Sequence, residues 1–418
     1  MKYMKFIADF HIHSKYSRAT SRDMDLENLD KWAKIKGIKV LGTADFTHFE
    51  WFKNLKEKLE PAEPSLFKLK NSDSPTRFLL TVEISNIYSK NGKVRKIHNL
   101  IFAPSFEIAE KINIHLGWIG NLKADGRPIL GLDSKELAKI VLEISKDCLI
   151  IPAHAWTPHF GIFGSKTGFD SIEECFEEYS KYIYAGETGL SSNPEMNWRL
   201  SALDKIALIS NSDAHSPQKL GREANVFDTE LSYSKIIEAI KSKDPQKFLY
   251  TIEFFPEEGK YHYDGHRACN IRLSPQESRK YNNICPNCGK PLTIGVLNRV
   301  EELADREDGF RPIGAIPFKS LIPLQEVIAE AIGQTVATKQ VAAEYQNLIK
   351  KLGSEFSILL NVSQQNLEAA TLPEISEAII RVRQGKVQIE PGYDGVFGKI
   401  RIFSKGEQKE ISKQKTLF

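Results

Sequence analysis

The sequence predicts an α/β fold: a distorted barrel of about seven strands over roughly residues 1–256, then a cysteine- and histidine-bearing module, then a mainly helical C-terminal region. Three observations predict it. Short apolar runs alternate with amphipathic helical stretches through the first 256 residues; most runs carry a histidine or carboxylate near one end; and after Glu257 the spacing of Cys and His changes character. Repeated strand and helix units with polar side chains at strand ends are the pattern of a barrel whose chemistry sits on one face.

The first apolar run begins at Phe6 and leads into Asp9-Phe10-His11-Ile12-His13. In an extended strand alternate side chains face one way, so Asp9, His11 and His13 are expected to project together. Leu26, Leu29, Trp32, Ala33 and Ile35 give a helix over 25–36 its apolar face, and Gly37 is its natural stop. A strand over 38–43 runs into Asp45-Phe46-Thr47-His48, and the polar, Pro-punctuated residues 50–75 read as an insertion over the site. Strands over 78–84 and 97–103 carry Glu83 and His98 near their ends. A helix over 134–145 precedes a strand over 148–153 that delivers His154. Segments over 182–185 and 206–209 lead to Glu187 and to Asp213-Ala214-His215, and a helix over 233–242 with a strand over 248–254 closes the unit.

With 418 residues, 41% of them hydrophobic and 27% charged, the chain can bury a sizeable core in two or three domains. A net charge of +3 neither demands nor excludes a polyanionic partner, so any nucleic-acid surface has to be local. There is no signal-peptide pattern and no apolar run of membrane-spanning length, which predicts a cytoplasmic protein without a membrane partner; we expect a monomer. Five cysteines, an odd number in a long chain, argue against a disulfide framework, and Cys148 and Cys175 read as inert core thiols.

The other three cysteines fall close together. His266-Arg267-Ala268-Cys269 followed by Cys285-Pro286-Asn287-Cys288 gives two knuckles that complete a tetrahedral zinc site, with His266 favoured by spacing over His262 as the fourth ligand. We take residues 257–297 as this module and 298–404 as the helical region. Helices are expected over 297–304, 324–352 (interrupted at Gly333) and 374–383, and a β-hairpin around Pro391-Gly392-Tyr393-Asp394-Gly395. Residues 405–418 form a Lys-rich tail ending Gln414-Lys415-Thr416-Leu417-Phe418, a short peptide able to plug a pocket on another protein.

In the barrel, His11, His13, His48, His98, His154 and His215 offer imidazoles, while Asp9, Asp45, Glu83, Glu187 and Asp213 offer carboxylates. Mixed nitrogen and oxygen ligands suit zinc, manganese or iron, and a carboxylate such as Glu83 can bridge two ions. Clustered divalent ions bind a phosphate, lower the pKa of water and stabilise charge on attacking and leaving oxygens, so phosphoester hydrolysis is the first reading. No nucleotide-binding glycine loop is present. The rivals are a small-molecule phosphatase of the histidinol-phosphate type, which leaves the zinc module and the last hundred residues without a task, and a zinc-containing DNA-binding adaptor without catalysis.

The order His11-x-His13, Asp45 to His48, Glu83, His98, His154 and Asp213-x-His215 resembles the PHP superfamily. Together with the His-Arg-x-Cys and Cys-Pro-x-Cys-Gly element and Arg299-Val300-Glu301-Glu302-Leu303-Ala304-Asp305-Arg306, the whole chain resembles its endonuclease Q family. The resemblance implies a distorted seven-stranded barrel and a trinuclear centre held by these residues, with Glu83 bridging and Glu83, His154 and Asp213 as catalytic residues. It leaves open whether Asp45 or His48 is the ligand in the second motif. It implies a DNA repair endonuclease that nicks 5′ to deoxyinosine, deoxyuracil, deoxyxanthosine and abasic sites with Mg2+ or Mn2+, besides structural Zn2+. Extruding a poorly paired base is cheap, and Trp156, Phe160 or Asn193 on loops beside the metals are candidates to receive it. Lys166, Arg222, Arg267, Arg272 and Arg279 are candidate phosphate contacts. Gln414, Leu417 and Phe418 resemble a sliding-clamp-binding peptide.

Overall fold

The computed structural model describes residues 4–404 and 407. Its centre is an eleven-stranded mixed sheet. The first strand, Met4–Asp9, pairs parallel with Val40–Gly42 on one side and antiparallel with Ala224–Thr229 on the other. Val40–Gly42 continues in parallel to Arg77–Lys90, which folds back antiparallel on Lys93–Ala103, and that strand pairs antiparallel with Leu149–Pro152. Beyond Ala224–Thr229 lie Phe248–Glu253, antiparallel to it, and Phe318–Ser320, a parallel strand that the C-terminal region adds to the sheet. Ala185–Glu187 and Ala207–Ile209 form a separate parallel pair.

The strands wrap around a common interior. Phe6, Ala8 and Phe10, then Val40, Leu79, Leu100, Phe102, Ile151, Ala185, Ile209 and Phe227, form one buried cluster drawn from a single face of each strand. Its centre is aromatic: Phe10 lies 5.2 Å from Phe102 and 6.1 Å from Phe227 between ring centroids, and Phe227 stacks on Phe248 at 4.8 Å. The opposite faces, including Leu41, Val82, Ile101, Ile150 and Val226, pack under the helices in a second, larger core. Period-two burial on both faces is what a sheet covered by helices requires. Among the described residues no ladder of backbone hydrogen bonds joins Leu149–Pro152 to Ala185–Glu187, so the wrapping rests on side-chain packing there.

The helices begin and end where local chemistry directs. Leu26–Lys36 is capped by the Asp25 carboxylate accepting from the Asn28 amide, and ends at Gly37 with φ of 88°. Ser134–Ile144 is capped in the same way by Asp133. The segment 50–75, read as an insertion, holds the helix Phe49–Lys58, buried through Trp51, Phe52 and Leu55, and the short hairpin Leu59–Pro61 with Phe67–Leu69. One expectation changes. The strands around Glu83 and His98 are halves of one long hairpin rather than successive strand and helix units. They turn at Asn91 and Gly92 (φ 53° and 73°), the conformation that matches strand twist.

After the sheet, Asp264–His266 and Ile271–Leu273 form a small hairpin, followed by Pro275–Lys280 with a Ser274/Glu277 capping box. Tyr393 and Asp394 of the loop between Gln388–Glu390 and Lys399–Arg401 dock there: the Asp394 carboxylate accepts from the Arg267 amide and from Thr293 Oγ1, both at 2.6 Å. Five helices, Leu324–Ala331, Lys339–Leu352, Glu355–Leu360, Gln364–Ala370 and Pro373–Arg383, make the C-terminal bundle. Buried Glu355 fastens it to the sheet domain, pairing with Lys36 Nζ at 2.7 Å while accepting from Tyr345 Oη at 2.6 Å. Among the described residues no helix is long and apolar enough to cross a membrane.

Candidate metal centre

The residues following the strand ends converge. Glu83 lies at the middle of the cluster, 2% exposed, and its two oxygens face different partners. Oε1 is 2.6 Å from His98 Nδ1 and 3.0 Å from His154 Nε2; Oε2 is 3.4 Å from His13 Nε2 and 3.6 Å from His11 Nε2. Asp213 Oδ1 lies 2.8 Å from His13 Nε2, 3.6 Å from His11 Nε2 and 3.7 Å from His215 Nδ1. Three sets of donor atoms therefore gather within ion-binding reach: His11, His13 and Glu83; Glu83, His98 and His154; His13, Asp213 and His215.

Outer partners fix which nitrogen each imidazole presents. His11 Nδ1 lies 3.0 Å from Glu187 Oε2, so as a neutral ring it donates there and turns the lone pair of Nε2 to the cluster. His98 Nε2 meets Ser85 Oγ at 3.1 Å, leaving Nδ1 for Glu83. Glu187 is itself held, accepting from Asn211 Nδ2 and the His154 amide at 2.8 Å each. It thus buttresses His11 from behind.

Four buried polar atoms of these residues and of Asp45 lack protein partners. His11 Nε2, His13 Nδ1, Asp45 Oδ1 and His154 Nδ1 are buried without a hydrogen bond. Native interiors seldom leave such groups unpaired, and lone pairs aimed together among carboxylates are what divalent cations satisfy. The residues present fit metal ions.

Electrostatics agrees with that donor set. Burial opposes ionisation of Glu83, yet His98, His11 and Arg127 hold it well below the usual carboxylate range. Asp213 is likewise held low against burial, by His11 and His13. Burial would lower His13, but the Asp213 and Asp45 carboxylates beside it raise it to about 9, whereas burial carries His98 down to about 4. The backbone is also strained here: Asp45, His154 and Asp213 sit at φ of 45°, 30° and 47°, and Phe160 at 72°.

Not every expected residue joins. Asp9 accepts from Ser212 and from the Gly221 amide, behind the site, because the extended chain ends at Asp9 and the alternation with His11 and His13 is lost. Asp45 approaches His13 Nδ1 at 3.5 Å through Oδ1, while its Oδ2 accepts from Ser14 and Ser17. His48 stands apart at the start of Phe49–Lys58, stacked on Tyr16 at 4.4 Å. Trp156 is 1% exposed with its indole donating to Asn197 Oδ1, so it roofs the core and offers no face to a base, contrary to expectation.

Phe160 does line the cavity of about 430 Å³ that opens on the cluster, together with His98, His154, Asp213, Leu190 and Ser191. Asn193 instead caps Pro194–Trp198 and borders a second cavity beside Arg272. Lys166, Arg267, Arg272 and Arg279 are exposed, while Arg222 is half-buried beside Phe254. The charged residue that sequence reasoning missed is Arg127, whose Nη1 donates to Glu83 Oε2 at 3.0 Å. It lies on a loop without motif or periodicity, so nothing in the sequence singles it out.

The second cluster is His266, Cys269, Cys285 and Cys288, whose donor atoms lie within 4.8 Å of one another. His262 is excluded from it, being buried against Tyr263 with rings 5.6 Å apart. Although burial opposes it, the amides of Asn287 and Cys288 pull the Cys285 thiol down to about 7, which favours the thiolate a metal needs. Gln414, Leu417 and Phe418 lie outside the described residues.

An α/β sheet domain that gathers imidazoles and carboxylates around a shared glutamate, beside a Cys/His cluster, defines a metal-dependent enzyme. Comparison with known proteins narrows the class. The chain superimposes on the crystal structure of the lesion-specific endonuclease PfuEndoQ from Pyrococcus furiosus with a TM-score of 0.85 and 29% identity, covering 97% of this chain and 99% of that one. It matches Endonuclease Q in complex with a 27-mer duplex carrying an abasic lesion at the active site with a TM-score of 0.83 and 30% identity, over 96% and 98% of the two chains. Residues 323–386 match the family model of the MJ0043 C-terminal domain. The MJ0043 protein of Methanocaldococcus jannaschii is 33% identical over 69% of this chain, which spans 37% of that protein's length; YqxK of Bacillus subtilis is 28% identical over 95% of this chain and 99% of its own. The chain belongs to the endonuclease Q family.

Proposed function

We propose that this protein nicks DNA on the 5′ side of deaminated bases (deoxyinosine, deoxyuracil and deoxyxanthosine) and of abasic sites. The observation that carries the reading is the cluster sharing Glu83, set in a chain that aligns over nearly its full length, zinc module and helical bundle included, with an endonuclease in complex with lesion-bearing duplex. A small-molecule phosphatase gives the parts beyond the barrel no work.

His11, His13, Glu83, His98, His154, Asp213 and His215, with Asp45 at the edge, would hold Mg2+ or Mn2+, zinc being a further candidate there; His266, Cys269, Cys285 and Cys288 would hold structural Zn2+. Such ions, when bound, supply Lewis-acid charge to a phosphodiester and lower the pKa of water. Glu83 ties the groups together through its two oxygens, and His154 completes one set. Asp213, the most open carboxylate of the cluster at 28% side-chain exposure, is the anion that a water or substrate reaches from the cavity.

A deaminated base pairs poorly and is extruded at lower cost. Phe160 provides a face for it to stack on, beside Leu190 and Ser191. Exposed Lys166 and Arg267 contact flanking phosphates, Arg267 from a module pinned by Asp394. In this reading residues 1–256 are the catalytic unit, 257–297 the zinc module and 298–404 the DNA-binding region, acting as a nucleoid-associated monomer. The tail residues Gln414, Leu417 and Phe418 dock a sliding clamp.

The test is a denaturing gel of 5′-labelled duplexes carrying one deoxyinosine, deoxyuridine or abasic site, with divalent metal, with chelator, and with Asp213→Ala. A metal-dependent cut on the 5′ side of the lesion, absent from undamaged DNA and from the variant, supports the proposal. Intact lesion DNA alongside hydrolysis of small phosphate esters refutes it.

A further inference from the structure

We propose that Arg127, assisted by Arg18, is the residue that grips the non-bridging oxygens of the scissile phosphate; the claim deepens the hydrolytic reading of the metal centre and rests on it. The cavity over the cluster is lined by Arg18, Asp125, Arg127, His159 and Phe160 beside the candidate ligands, and by no lysine. Among these lining residues the permanent positive side-chain charge is that of Arg18 and Arg127, with Lys96 Nζ 5.7 Å from the ring centre of Phe160 at the margin. An arginine cannot give up its proton at neutral pH, so its contribution is charge and a planar fork of donors that matches two phosphate oxygens.

The local chain is built to hold that fork in place. The Asp125 carboxylate accepts from the Arg18 amide at 3.2 Å and the Arg127 amide at 3.1 Å, and pairs with Arg18 Nε at 3.1 Å, so one carboxylate sets both arginines. Between them Gly126 presses on Asp45 and Ser17, where a Cβ would overlap Asp45 Oδ2 and Ser17 Oγ, and its amide donates to the Tyr16 carbonyl at 3.0 Å. Arg127 Nη1 is anchored on Glu83 Oε2, while among the described residues no hydrogen bond from Nη2 or Nε is formed and Asp213 and Asp125 act on the guanidinium through charge. The side chain is a quarter exposed, open to the cavity yet braced at one end. A residue that served only to orient Glu83 would have no need of this exposure or of a second arginine on the same carboxylate.

Inorganic phosphate is the probe, because its binding can be measured whatever the DNA specificity is. In Mn2+-loaded protein, Arg127→Met is expected to weaken phosphate binding, read by calorimetry, by roughly 10- to 100-fold, the loss of a charge-assisted hydrogen bond. Manganese content by elemental analysis is expected to match that of the unchanged protein, Arg127→Lys to recover part of the affinity, and added guanidinium to restore phosphate binding to Arg127→Met. Unchanged phosphate affinity overturns the proposal. Loss of manganese from both variants also overturns it, since Arg127 would then serve Glu83 alone. If the unchanged protein binds phosphate through Arg127 but leaves lesion DNA intact, the lesion-nicking reading fails and the arginine assignment stands.

Discussion

The two candidate metal centres are built in opposite ways. The Cys/His module draws its candidate ligands from two short knuckles, His266 to Cys269 and Cys285 to Cys288, that backbone turns hold together; Cys288 is exposed and the site lies near the surface. The sheet-domain centre draws His11, Glu83, His98 and His154, all buried, and the partly exposed Asp213 from the whole length of that domain, and shares Glu83 between two groups. A local site of four saturating ligands holds a metal and stabilises a fold. A dispersed site with shared carboxylates, an open cavity and a fixed cation leaves room for a substrate. Composition alone does not separate structural from catalytic metal; the sequence separation of the ligands and the cavity do.

That contrast can be broken most sharply at Glu83. Glu83→Gln keeps size but removes the charge common to two groups, and is expected to cut nicking by about 10³-fold, several kcal/mol of lost transition-state stabilisation, while leaving the zinc in place. Elemental analysis and the gel assay read both halves. Cys288→Ser addresses the other centre: zinc affinity is expected to fall by at least the roughly 10- to 100-fold that outer-shell changes cost. Hydrolysis of a small aryl phosphodiester by the barrel should persist, and its loss would show that the two centres are not independent.

A third test lies behind the sheet-domain centre, at Glu253. Burial, against hydrogen bonds from Thr251 and Thr188, raises its carboxyl to about 7. An acid raised in the folded state contributes fully below its unfolded value, near 4.5, and loses that contribution as pH climbs through about 7. Unfolding free energy should therefore fall by on the order of 3 kcal/mol between pH 4.5 and 7.5, and Glu253→Gln should flatten that slope in denaturant titrations.

How much of this was legible follows from the same contrast. The Cys/His cluster was readable because spacing within a knuckle is a local property, and the structure gathers His266 rather than His262 with Cys269, Cys285 and Cys288. The converging imidazoles and carboxylates of the sheet domain were readable as a series of strand ends, but their mutual geometry was not: Asp9 drops out when the chain leaves the extended form, and His48 is carried off by an unforeseen helix. Trp156 was misread because an aromatic beside a ligand gives no sign of which side is buried. Arg127 went unseen because a loop arginine acquires meaning only when Asp125 and Gly126 place it against Glu83. The long hairpin was announced by Asn91-Gly92, and reading those two residues as a turn would have joined its strands.

A multinuclear centre organised by Glu83 is tested most directly by anomalous diffraction on crystals of active protein grown with Mn2+. At least two manganese peaks are expected in the sheet domain, with Glu83 between them, and a separate zinc peak at Cys269, Cys285, Cys288 and His266. A single barrel peak away from Glu83, or none in crystals that still cut DNA, would contradict it.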